Sequence, residues 1–303
     1  MHNNKPNFLI VGAAKSGTTS LAKYLSAHKD IYIPEIKEPR FFVRDTILSV
    51  SDEDPLKEHL LKTSVLSETD YFKLYNVDKK LKGDASVHYL NDHNEAIPKI
   101  KNYLGDVPII IMIRNPIDRL VSNYNYLNSK NLSSIEDEID KEDFKKSNNY
   151  NSFWHFKDQG LYFNRIAAYN KNFTKVKIII FEDFVSDTEK IYLETIKWLG
   201  LAEDVLPDFK VENQSTTPNL LYRFLISVGL IKFLKTFIIN RLEFKIKIMK
   251  ELKKKLFLKK AETFMPDDLR KDLIKYYEKD VKKLKDSYNL NLKSWSRDFY
   301  KIC

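Results

Sequence analysis

The stretch Asn7–Leu21 reads NFLIVGAAKSGTTSL. An apolar run, Asn7–Val11, enters Gly12-Ala13-Ala14-Lys15-Ser16-Gly17-Thr18-Thr19-Ser20, and apolar residues then recur at helical spacing over Thr18–Ala27. Strand, glycine loop and helix in that order form an anion-binding arrangement: loop amides point inward and the helix N-terminus adds partial positive charge. Hydroxyls at Ser16, Thr18 and Thr19 supply further donors. A nucleoside triphosphatase loop reads G-x-x-x-x-G-K-S/T, and Gly12, Gly17 and Thr19 keep that spacing. Thr18, however, stands where the lysine belongs, and the cation lies three residues earlier at Lys15. Its charge therefore approaches a phosphate chain from another side and meets the leaving group. Glu182-Asp183 only superficially resembles an acidic partner for magnesium, and no metal is expected.

Outward from this loop, Val107–Ile113 and Val176–Phe181 are further short runs rich in Ile and Val, the pattern of buried parallel strands. Helical periodicity covers Ala96–Leu104, Pro116–Asn128, Leu161–Asn172, Thr188–Leu199 and Asp267–Tyr288. Strand alternating with helix predicts an α/β fold around a central parallel sheet, with a helical C-terminal part. Asn128–Asn151, dense in Asn, Ser, Lys and Asp, reads as a long surface loop or a helix with a mobile flank.

The 303 residues are 43% hydrophobic and 31% charged, with one cysteine, Cys303, so disorder and a disulfide-stapled scaffold are both excluded. Length fits one domain over 1–303. No secretory leader is legible, and the longest near-apolar stretch, Phe224–Ile239, contains Lys232 and Lys235, so no spanning helix is expected. The net charge of +9 is local: Arg223–Lys260 holds twelve Lys or Arg against two acids, a segment charge of +10. Apolar residues interleave these charges every three or four positions, which predicts a basic amphipathic helical insertion at about 220–260. Such a segment packs on its own domain, lies on an anionic membrane surface, or grips an acidic polymer.

The K-S-G-T-T loop with its upstream strand and glycine resembles the 5'-phosphosulfate loop of the sulfotransferases that use 3'-phosphoadenosine 5'-phosphosulfate (PAPS). Ile109–Tyr124, IIIMIRNPIDRLVSNY, is similar to that family's 3'-phosphate segment. Lys37-Glu38-Pro39-Arg40-Phe41-Phe42 resembles the K-E-P-x-F-F segment of the heparan-sulfate type, and Gly83–Leu90, GDASVHYL, resembles G-E-K-S/T-P-x-Y-F, with Ala85 for the lysine and Val87 for the proline. Weaker likenesses run on to Trp295. The R-K-G-x-x-G-D-W-K-N signature of the enzymes that sulfate phenols and steroids is missing.

The resemblance implies a P-loop-like three-layer fold and a bacterial PAPS-dependent sulfotransferase of the carbohydrate type. It implies PAPS held by Lys15, Ser16, Gly17, Thr18, Thr19 and Ser20, with Arg114 and Ser122 on the 3'-phosphate. Glu38 is then the general base, Lys15 stabilises the leaving group, and Lys37 and Arg40 face the acceptor, a polysaccharide or glycolipid. His88 is not part of the family pattern and reads as an acceptor contact, an alternative base or a structural histidine. A lipid or small-molecule acceptor, a P-loop kinase, and a non-enzymatic membrane- or polymer-binding protein are the alternatives. The expected setting is cytoplasmic, at the inner face of the membrane if the basic segment meets lipid, and no nucleic acid partner is expected.

Overall fold

The computed structural model describes residues 4–36, 38–127, 132–202, 206–209, 216–218, 258–260 and 265–303. Strands β1 (Phe8–Gly12), β2 (Ile31–Tyr32), β3 (Leu81–Ala85), β4 (Ile109–Ile113) and β5 (Val176–Ile180) form one sheet in the order β2-β3-β1-β4-β5. Every pairing is parallel, with Phe8 opposite Gly83, Leu9 opposite Ile109, and Ile113 opposite Ile180.

The central strands β1 and β4 are buried along their whole length. Side chains alternate across a sheet, so a strand covered on both faces reads as an unbroken apolar run. Phe8, Ile10, Ile110 and Met112 join one core with Leu21, Tyr24 and Leu25 of helix α1 (Thr18–Ser26). Leu9, Val11, Ile109, Ile111 and Ile113 are equally inaccessible on the alternate positions.

Helices α2 (Arg44–Ser49), α3 (Lys57–Thr63), α4 (Glu68–Lys73), α5 (His88–Asn91) and α6 (His93–Leu104) precede β4, and α7 (Pro116–Leu127) follows it. Asn115 starts α7: its side-chain oxygen accepts from the amides of Ile117 and Asp118, and Pro116 suits the first turn. After it come α8 (Ile135–Asp140), α9 (Glu142–Ser147) and α10 (Phe163–Asn172), then α11 (Phe181–Ser186) and α12 (Thr188–Trp198) beyond β5, and finally α13 (Asp267–Tyr288) and α14 (Ser296–Phe299).

Of the two readings of the polar region, loop or helix, 132–151 takes the helical one and holds α8 and α9, started by the Ser134 cap and locked by the Glu142 carboxylate, which accepts from the amides of Lys157 and Asp158 at 2.7 and 3.0 Å. Two strands of the sheet carried no sequence pattern. Strand β2 is only two residues long, too short to show a period. Strand β3 reads LKGDA because hydrogen bonds make its polar side chains tolerable in the interior: the Lys82 ammonium donates to the Tyr75 carbonyl at 3.0 Å.

The chain divides into two compact units, Met1–Tyr124 with Ser133–Glu212 and Met265–Cys303 as the first, and Asn125–Leu132 with Asn213–Phe264 as the second. The five-stranded sheet belongs to the first. In the second, strands β6 (Thr216–Pro218) and β7 (Leu258–Lys260) pair antiparallel. The expected helical insertion over 220–260 lies outside the described residues, apart from those that form β7. Among the described residues no helix is long and apolar enough to cross a membrane.

Candidate active site

The chain leaves β1 toward β2 and leaves β4 toward β5, so the loops after these adjacent strands diverge. A crevice outside the carboxyl ends of strands at such a point is where open α/β sheets bind ligands. The Gly12–Gly17 loop opens there. Its Ala13 amide donates to the Met112 carbonyl at 2.6 Å, fixing the loop to the end of β4. Gly17 has φ +86°, and an added Cβ would lie 2.8 Å from the Phe181 ring, so both conformation and space call for glycine. Lys15 also adopts a left-handed backbone, φ 68°, at a cost of about 1 kcal/mol that the surrounding loop must offset.

Helix α1 begins at Gly17 with no side-chain cap and no acidic residue in its first turn. The first amides of a helix have no intrahelical acceptor, so those of Gly17, Thr18 and Thr19 are available to an anion. The Ser16 hydroxyl is buried with no partner in the structure. An orphaned donor inside a loop of amides fits a phosphate or sulfate oxygen.

Arg114 closes the other side. Its Nη1 donates to the Lys15 carbonyl at 3.2 Å, its guanidinium lies 4.6 Å over the Phe181 ring, and its own carbonyl accepts from the Tyr162 hydroxyl at 2.9 Å. Burial pulls its pKa below the ordinary arginine value, with Asp118 and Glu182 opposing; a guanidinium keeps its charge regardless. Its Nε is buried without a hydrogen-bond partner. Next to it, the Asn115 amide donates to Glu182 Oε1 and its side chain to Asp298, both at 2.9 Å. Ser122 sits in the buried part of α7, one turn beyond the fully buried Arg119, which donates to Gln159.

Glu182 is thus engaged by the Asn115 amide and by the Trp295 indole at 2.8 Å, and burial raises its pKa. No group of side chains able to hold a metal occurs among the described residues.

A second group gathers at the end of β3, and three bonds lace it together. The Arg40 amide donates to the Ser86 hydroxyl at 3.1 Å, the Val87 amide to Glu38 Oε2 at 2.9 Å, and Arg40 Nε to His88 Nδ1 at 3.1 Å. Glu38 Oε2 lies 3.9 Å from His88 Nδ1. The Arg40 guanidinium turns inward, donating also to Thr63 and Ser64 at 3.1 and 3.3 Å. Glu38 and Arg40 both hold left-handed backbones, φ 63° and 55°. Lys37 lies outside the described residues. The two groups meet through Gly12, whose added Cβ would stand 2.6 Å from Leu90 Cβ and 3.2 Å from the Val87 carbonyl.

Residues 6–204 match the model of the Sulfotransferase family. The chain belongs to that family. A sulfotransferase from Alicyclobacillus acidocaldarius, solved as a crystal structure, superposes with a TM-score of 0.73 at 28% identity, covering 97% of this chain and 99% of that one. The membrane-associated sulfotransferase kil1 of Dictyostelium discoideum is 28% identical over 123 residues, 40% of this chain and 23% of that protein. Carbohydrate sulfotransferase 15 of Mus musculus is 26% identical over 165 residues, 43% of this chain and 28% of that protein. The chain therefore spans about a quarter of the length of these curated relatives.

Several residues of the candidate site have partners that are not marked by any local motif. Asp84 is one: it accepts from the hydroxyls of Tyr71 and Tyr89, both at 2.8 Å, and of Ser86 at 2.7 Å. Burial raises its pKa to about 6, above the ordinary 3.8, against the opposing pull of those hydroxyls. Its place in the quoted GDASVHYL segment was visible, but its tyrosine partner at position 71 was not. Phe181, Tyr162 and Trp295 support Arg114 and Asn115 from three distant segments, a relation that only the folded chain displays.

Proposed function

We propose that this sulfotransferase takes its sulfuryl group from PAPS and passes it to a hydroxyl or amine of an acceptor, a carbohydrate in a polysaccharide or glycolipid. The observation that carries the reading is the 3.2 Å bond from Arg114 to the Lys15 carbonyl, which puts an arginine fork beside an uncapped helix end. A donor carrying anionic groups on both the 5' and the 3' oxygens of one ribose fits two such neighbouring cationic stations. Lys15 with Ser16, Gly17, Thr18, Thr19 and Ser20 would hold the phosphosulfate, and Arg114 with Ser122 the 3'-phosphate.

In the transfer, the acceptor oxygen or nitrogen forms a bond to sulfur as the bond from sulfur to the phosphate oxygen breaks. Glu38 takes the acceptor's proton, and the electron pair of the broken bond stays on adenosine 3',5'-bisphosphate, where Lys15 and the loop amides stabilise it. General-base help is worth about 10² to 10⁴-fold. Lys37, Arg40 and His88 belong to the acceptor side, Arg40 through its bond to His88. No metal takes part in this scheme. The name of the mouse relative supports a glycan acceptor. The Arg223–Lys260 charge would hold an anionic glycan, or hold a cytoplasmic enzyme against the membrane where acceptors are assembled.

Calorimetric titration with adenosine 3',5'-bisphosphate, beside ATP with magnesium, tests the donor assignment. Metal-independent binding of the bisphosphate that weakens in Arg114→Ala and Lys15→Ala supports it and leads to a screen of sulfate-free glycans with PAPS. A preference for ATP, or no nucleotide binding, overturns it.

A further inference from the structure

Arg40 and His88 come from segments 48 residues apart and meet in the interior, with only 7% and 1% of their surfaces exposed. Arginine has five donors and no acceptor. The Nε to Nδ1 bond at 3.1 Å therefore has one polarity: arginine donates, and Nδ1 of His88 must carry a lone pair. A neutral imidazole holds one proton, so it sits on Nε2. The guanidinium is itself immobilised by Thr63 and Ser64, and its backbone amide by Ser86.

Nδ1 is also the ring nitrogen that stands 3.9 Å from Glu38 Oε2. The only nitrogen of His88 able to receive a proton next to the carboxylate is thus already capped. Nε2 is buried and has no hydrogen-bond partner in the structure. A buried donor left unmade costs about 1–3 kcal/mol, which a ligand oxygen would recover.

Resting on the functional reading above, we propose that Arg40 is a positioning residue that fixes His88 in the Nε2–H tautomer, so that the imidazole can offer a proton but not take one and proton removal from the acceptor falls to Glu38. This divides two roles that a histidine beside a carboxylate would otherwise share. It also means that His88 reads an oxygen lone pair, as in a hydroxyl or ether of the acceptor.

Long-range nitrogen–proton NMR of protein labelled at histidine tests this near neutral pH, with the His88 signals identified by their loss in His88→Gln. The expected wild-type pattern is a protonated Nε2 and a bare Nδ1. Arg40→Met should give a mixture of tautomers, and Arg40→Gln, whose amide can still donate, should restore the wild-type pattern. If Arg40→Met does not fold by circular dichroism, the double variant Thr63→Val with Ser64→Ala loosens the guanidinium and should raise the Nδ1–H fraction. A wild-type Nδ1–H pattern overturns the proposal, as does an unchanged Nε2–H pattern in a folded Arg40→Met or in the double variant. Failure of bisphosphate binding would remove the functional reading alone, because the tautomer is read without any substrate.

Discussion

The Trp295 indole donates to Glu182 Oε2 at 2.8 Å while the other oxygen of that carboxylate receives the Asn115 amide. The residue after Arg114 is thus braced through Glu182 by Trp295, 113 residues beyond Glu182 in sequence. Trp295→Phe leaves one buried carboxylate oxygen without its donor, an effect of about 1–3 kcal/mol. The expected result is a lower urea midpoint together with weaker binding of adenosine 3',5'-bisphosphate, measured by calorimetry.

Phe181 lies under the Arg114 guanidinium and against Gly17. A cation over an aromatic face contributes about 0.5–2 kcal/mol, so Phe181→Leu should weaken bisphosphate binding about 2- to 30-fold. Binding equal to wild type would show that the ring does not orient the arginine.

Gly17→Ala must accept a left-handed backbone costing about 1–2 kcal/mol and a Cβ that stands 2.8 Å from Phe181. We expect loss of bisphosphate binding by more than about tenfold, with the sheet intact by circular dichroism. Gly105→Ala is the control, since it also has a positive φ, +77°, but meets no atom within 4 Å; it should cost stability without touching binding.

Asp84 sets a pH dependence. Its pKa is about 6 in the folded chain against the ordinary 3.8, so between those values the native state holds a proton that the unfolded state has lost. Stability contributed by this group is therefore present below pH 3.8 and lost as pH rises toward 6, on the order of 3 kcal/mol. Asp84→Asn should flatten that part of the curve, so that the variant gains on the wild type as pH passes from 4 to 7 in chemical unfolding. A difference that does not change with pH would contradict the raised pKa.

Much of the fold was legible because central strands of a covered parallel sheet carry unbroken apolar runs, as Ile109–Ile113 does. Strand β3 escaped because Lys82 and Asp84 are tolerated inside only through partners, Tyr75, Tyr71 and Tyr89, that lie elsewhere in the chain. Over 132–151 the sequence left loop and helix both open, because the polar residues there serve buried pairs such as Lys145 with Glu138 at 2.5 Å, which composition cannot distinguish from a solvated loop. In the candidate site, local motifs marked Lys15, Glu38 and Arg114. The inward turn of Arg40 depends on Thr63, Ser64 and His88, and no spacing rule connects those positions.

Asn115 receives its side-chain partner from Asp298, 183 residues later. During synthesis, the arginine-bearing loop emerges long before that partner exists. A nascent chain halted before Trp295 would contain Lys15, Glu38 and Arg114 and yet lack the two braces at Glu182 and Asn115. A stop codon ahead of Trp295 therefore removes both braces of this loop while leaving the loop's own residues in place.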